Sequence, residues 1–120
     1  MDEFLEDRIY ETAKRCGFIT HFDGQEDYVT FEAHSPLGED ISFEVYYKDE
    51  GTFEDIFDGV LVTFTDFDVD EHAVFWYETH GRSGAPTDLR TLLNDAQAIK
   101  NMYGYLYMQM FNLKTKLEGK

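Results

Sequence analysis

A chain of 120 residues, 42% hydrophobic and 17% aromatic, can fill one packed core, which excludes both a disordered chain and a two-domain one. Twenty-five acids against ten bases leave a formal charge of −15, so direct binding to nucleic acid or to an anionic membrane surface is disfavoured and a basic protein partner is favoured. The start MDEFLEDR lacks the regions of a secretory signal, no apolar run nears the ~18 residues of a membrane span, and the single cysteine, Cys16, closes no internal disulfide, so a cytoplasmic, non-membrane domain over 1–120 is expected.

The first element reads as a helix from about residue 2 to 16. Phe4, Leu5, Ile9, Tyr10 and Ala13 fall near helical spacing, Asp2 and Glu3 suit the positive dipole end, and Lys14, Arg15 and Gly17 suit the exit. Three strands follow. FITHF is short and strand-prone, and Val29, Phe31 and Ala33 alternate with Thr30, Glu32 and His34. Ile41, Phe43, Val45 and Tyr47 likewise alternate with Ser42, Glu44 and Tyr46. One buried and one wet face is the mark of an antiparallel sheet. GVLVTFTDF has strand-like composition, yet Phe53, Ile56, Phe57, Val60, Leu61 and Phe64 step by 3, 1, 3, 1, 3. That stripe predicts a helix over 52–66 with Thr52 as its cap.

Asp68 and Glu71 resemble a capping box and open a short helix that ends near Thr79, before HGRSGAP. Leu89, Leu92, Ala96, Ile99, Tyr103, Leu106, Met110, Leu113 and Leu117 then alternate spacings of 3 and 4, a coiled-coil-like seam. The long helix is placed at 87–117, with Asn94 and Asp95 as an alternative break. At ~1.5 Å per residue it is roughly 45 Å long, enough to project from the body or to pair with a second copy. The fold class expected is α+β: an N-terminal helix, a three-stranded antiparallel sheet, two shorter helices and a long C-terminal helix.

DFDVDEHAVFWYETHGRSGAP, residues 66–86, concentrates carboxylates, two histidines and a tryptophan. Counted as an EF-hand loop from Asp66, its sixth and twelfth positions hold Glu71 and Tyr77, where Gly and Glu are needed. His72 and His80 do not match a zinc spacing, and His72 reads instead as a partly buried neighbour of Trp76. Ser83 does not lie in G-x-S-x-G, and the loop lacks the lysine of a phosphate loop. Phe75, Trp76 and Tyr77 read as core and rim residues. No cofactor, no metal and no catalytic residue is expected, and the protein is read as a non-enzyme.

The positions Phe67, Asp68, Val69, Glu71, Trp76, His80, Gly81, Gly84, Ala85, Pro86 and Asp95 resemble the C-terminal half of small acidic proteins carried by plasmids and conjugative elements of gut bacteria. The resemblance is confined to the C-terminal half and assigns no site. It implies a mobile-DNA setting, in which small acidic proteins include restriction and CRISPR inhibitors.

Charge placement points the same way. Cys16 to Gly81 holds seventeen acids and one base, Lys48, for −16, and the remainder sums to +1. Mixed signs would fold more stably. Glu32 and Glu44 fall on the wet face of neighbouring strands, where they are opposite or diagonal and repel. Asp49 and Glu50 precede the next helix, Glu54, Asp55 and Asp58 share its outer face, and Asp66, Asp68, Asp70 and Glu71 follow it. Nine carboxylates along a helix of roughly 22 Å approach the charge density of duplex DNA, one phosphate per ~1.7 Å. These eleven residues are the expected contact set for a basic nucleic-acid-binding protein. The alternative is a structural or regulatory module that dimerises through its last helix and is acidic only for solubility.

Overall fold

A computed structural model describes residues 2–23, 27–47, 52–80 and 88–119. Helix α1, Glu3–Arg15, begins where the Asp2 carboxylate accepts the Phe4 amide at 3.1 Å. It ends in a Schellman arrangement: the Gly17 amide donates to the Lys14 carbonyl and the Phe18 amide to that of Ala13. Gly17 takes φ +89°, the left-handed conformation that this exit requires and that side chains resist. Phe18, the next residue, is fully buried, so the helix stop also seats a core side chain.

Strands β1 (Ile19–Asp23), β2 (Tyr28–His34) and β3 (Asp40–Tyr46) form one antiparallel sheet in the order β1-β2-β3. Val29, Phe31, Ala33, Ile41 and Val45 are buried on the face that meets the helices. The period-2 pattern therefore sets which side of the sheet is dry. Glu32 pairs with Ser42 and Thr30 with Glu44, so Glu32 and Glu44 are diagonal neighbours on the outer face.

Helix α2, Phe53–Asp66, starts at Thr52, whose amide donates to the Asp55 carboxylate at 3.3 Å. Its β-branched residues do not divert it to a strand, because the apolar stripe buries Phe53, Ile56, Phe57 and Val60. Gly59 lets α2 approach β3 closely: a Cβ there would lie 2.5 Å from a methyl of Val45. Helix α3, Val69–His80, starts where Asp68 accepts the Glu71 amide at 3.0 Å.

Helix α4, Leu89–Glu118, is capped by Asp88, which accepts the Arg90 amide at 3.1 Å. It runs unbroken through Asn94 and Asp95. Asp95 is buried and accepts the Leu37 amide at 3.0 Å, so the acid that could have ended the helix pins the β2–β3 turn to it. At ~1.5 Å per residue α4 is about 45 Å long, close to the 50 Å long dimension of the molecule. The radius of gyration, 15.7 Å, accordingly exceeds the ~14 Å of a rounder chain of this length. Leu92, Ala96, Ile99, Tyr103, Leu106, Met110 and Leu113 are all buried within the chain. The heptad-like seam is thus spent on α1, α2, α3 and the sheet.

Candidate functional site

Where α2 gives way to α3 the chain turns a corner, and Asp66, Asp68 and Glu71 surround it. With Phe67, His72 and Phe75 they line an open groove of about 500 Å³. Asp70 is exposed on the first turn of α3 beside them, and Asp58 is exposed on α2. Among the described residues, none of Asp58, Asp66, Asp68, Asp70 and Glu71 makes an ion pair. Two carboxylates in the first turn of α3 favour helix formation through the dipole, which gives this crowding a local compensation.

The elbow is braced from behind. Helix α2 has no basic residue in its last turn; Lys100 of α4 supplies the charge instead. Its ammonium donates to the Phe64 carbonyl at 3.0 Å and the Phe67 carbonyl at 2.6 Å, and lies 5.3 Å from the Phe64 ring centre. His72 is fixed by Glu39 at 2.8 Å and lies 4.9 Å from the Phe67 ring. Phe75 is 60% exposed at the groove wall, an aromatic face next to three carboxylates. That combination suits a guanidinium or ammonium group, which gains ion pairs and a cation–π contact together.

The remaining expected contact residues divide. Glu54 is exposed on α2 but lies 3.4 Å from Lys114, which also reaches Glu118 at 3.6 Å. The Glu54 hydrogen bond, then the charges of Glu118 and Glu54, hold the Lys114 ammonium above its usual pKa. Asp55 is half-buried and engaged as the α2 capping partner. Glu32 meets His21 at 3.0 Å, and Glu44 accepts the Tyr46 hydroxyl at 3.4 Å. Both lie on the outer sheet face, turned away from the helices that carry the elbow. Asp49 and Glu50 lie outside the described residues, as does the GRSGAP loop.

Sequence spacing found the elbow acids but not what holds them. Glu39 is 33 residues from His72, and Lys100 is 33 and 36 residues from its two carbonyls, beyond any local pattern. Trp76 packs on the small cluster under α3, and Tyr77 is on the rim at 43% exposure. The described residues contain no group of three or more His, Cys, Asp or Glu able to hold a metal, and no described helix is long and apolar enough to cross a membrane. Cys16 is half-buried, and burial raises its thiol pKa, which lowers its reactivity. No known protein family, no curated protein and no solved structure matches the chain.

Proposed function

We propose that this is a non-catalytic acidic binding protein that imitates nucleic-acid charge and blocks a basic DNA- or RNA-binding protein by occupying its groove. The class is that of anti-restriction or anti-CRISPR inhibitors of mobile elements, acting in the cytoplasm without a cofactor. One observation carries the reading: four carboxylates, Asp66, Asp68, Asp70 and Glu71, gather at the α2–α3 elbow with Asp58 about two turns back on α2, and none of the five makes an ion pair among the described residues, although α4 brings lysines close by. Unpaired, like-signed charge on a braced scaffold costs folding stability and has its return in a partner of opposite sign. Steering by such a surface makes association fast and sensitive to salt. The acids on the outer sheet face fall outside this contact.

The test is competition with duplex DNA for basic restriction and CRISPR nucleases at low and high ionic strength. Inhibition should fade with salt, and a triple variant Asp66→Asn, Asp70→Asn, Glu71→Gln should weaken it at least tenfold. A Glu32→Gln, Glu44→Gln variant should inhibit like the parent chain. Undiminished inhibition by the triple variant would place the interface elsewhere.

A second reading, the homodimeric module, is favoured by one feature. From Asn101 to Leu113 α4 carries no charge, and Tyr105, Met108 and Phe111 are at least half exposed there. A salt-insensitive dimer in sedimentation equilibrium, dissolved by Met108→Glu and indifferent to basic nucleases, would select this reading over the first.

A further inference from the structure

Against a background of −15, three cations converge on one groove without a carboxylate to hold them. Arg8 and Arg15, two turns apart on α1, and Lys116 on α4 line a groove of about 390 Å³ together with Gln109 and Asn112. Among the described residues none of the three makes an ion pair. Glu11 is the one acid in the wall. It stands three residues from Arg8 and four from Arg15, the spacings at which helix ion pairs form, yet it lies more than 4.0 Å from both guanidinium groups. The groove is therefore net cationic in a molecule with abundant acid to neutralise it.

We propose that this α1–α4 groove binds an anion carrying two or more linked phosphates, such as pyrophosphate or the diphosphate of a nucleotide. The volume falls in the range of small-molecule sites, roughly 300–1,000 Å³. Guanidinium forks match phosphate oxygens two at a time, and a lysine adds a point charge. Arg8 and Arg15 are about 10 Å apart along the helix axis, a separation that suits a diphosphate better than one phosphate; the Arg8 guanidinium, 5.1 Å from the Phe4 ring centre, turns from that ring to reach it. The Gln109 and Asn112 amides, with no hydrogen bond to other described side chains, add neutral donors. The elbow acids neighbour α4 around Lys100, nine or more residues from this groove. At ~1.5 Å per residue that is beyond the ~8 Å screening length of physiological salt, so the acids that oppose binding are the near ones, Glu11 in the wall, Asp7 beside Arg8 and Glu118 two residues from Lys116.

The experiment is a titration of the full chain, nitrogen-15 labelled, at constant ionic strength near 0.15 M. Its arms are sodium pyrophosphate, a nucleoside diphosphate, orthophosphate and sodium chloride. Saturable shifts at the Arg8 and Arg15 side-chain resonances and the Gln109 and Asn112 amides are expected with the first two, at least tenfold tighter than with orthophosphate. A tighter nucleoside diphosphate than pyrophosphate identifies a nucleotide as the source. Arg8→Gln and Arg15→Gln, both at exposed positions, should each lower affinity about tenfold, and Lys116→Gln tests the opposite wall on a different helix. Arg90→Gln, outside the groove, should change nothing. Shifts that chloride reproduces, that fail to saturate, or that persist in the Arg8→Gln, Arg15→Gln double variant would overturn the site.

Discussion

Two apolar clusters of unequal size share α4. Sixteen buried side chains from α1, α2, α4 and the sheet, with Phe18 before β1 and Tyr47 after β3, make the larger, and Phe18 and Phe31 are fully enclosed. Only Ala73, Leu92 and Ala96 make the smaller, beneath α3. The half-buried Phe67 touches both. Since stability grows with apolar area removed from water, α3 belongs to the weakly held part of the molecule, and Val74, Phe75 and Tyr77 on it stay exposed. Its compensation is polar, the His72–Glu39 contact at 2.8 Å, whose side chains are only 25% and 9% accessible. The acidic elbow is thus carried on an element with a small apolar anchor, and polar contacts from Lys100 and Glu39 do much of the holding.

The largest expected effect separates the two clusters. Phe31→Ala should cost about 3–5 kcal/mol in denaturant unfolding and lower amide protection everywhere. Leu92→Ala should cost about 2 kcal/mol, with protection lost in α3 well before the sheet. Uniform loss in both variants would mean one cooperative unit.

Next comes pH. Tyr103 stacks on Phe18 at 6.1 Å and meets Phe43 and Phe67 edge-on at 5.4 and 5.5 Å. Burial, followed by the charge of Glu39, pushes its phenol up to about 12. Above the ordinary pKa of about 10 the unfolded chain releases a proton that the folded chain retains, so stability is full below pH 10 and falls as pH rises to 12. The loss is about 2–3 kcal/mol. Burial also raises Tyr47, with Glu6, Asp27 and Asp23 adding to it, so Tyr103→Phe should flatten most but not all of the alkaline decline. An unchanged profile would remove Tyr103 from the account.

Lys100→Met should cost about 1–2 kcal/mol through the two carbonyls that it leaves without a cation, and exchange at Phe67 to Glu71 should accelerate more than in the sheet. The smallest effect lies on β1, beside Phe31 of the main cluster. Thr20 is 5% exposed and its hydroxyl has no hydrogen-bond partner. Thr20→Val should therefore raise stability by up to about 1 kcal/mol. A loss there would show that the hydroxyl is satisfied.

Much of the architecture was legible because its signals are local. The 3-1-3-1-3 stripe from Phe53 to Phe64 outweighed the strand-like composition of α2, and the alternation around Phe31 and Phe43 set the dry sheet face. Asp95 was open to reading as a helix break because its partner, Leu37, is 58 residues away. The same limit applies to the acids. Alternation put Glu32 and Glu44 on the wet face, but only the packing of α2 against Val45 shows that this face looks away from the elbow. Nor could spacing reveal that Lys114 reaches Glu54, which removes one member from the free set.

Arg8, Arg15 and Lys116 flank the C-terminal part of α4, while the elbow carboxylates flank its middle beside Lys100. One stiff rod thereby carries a cation-lined groove near one end and an acidic elbow near its middle. A cationic partner gains contacts at the elbow and none at the groove, so an anion seated in the groove leaves the elbow open.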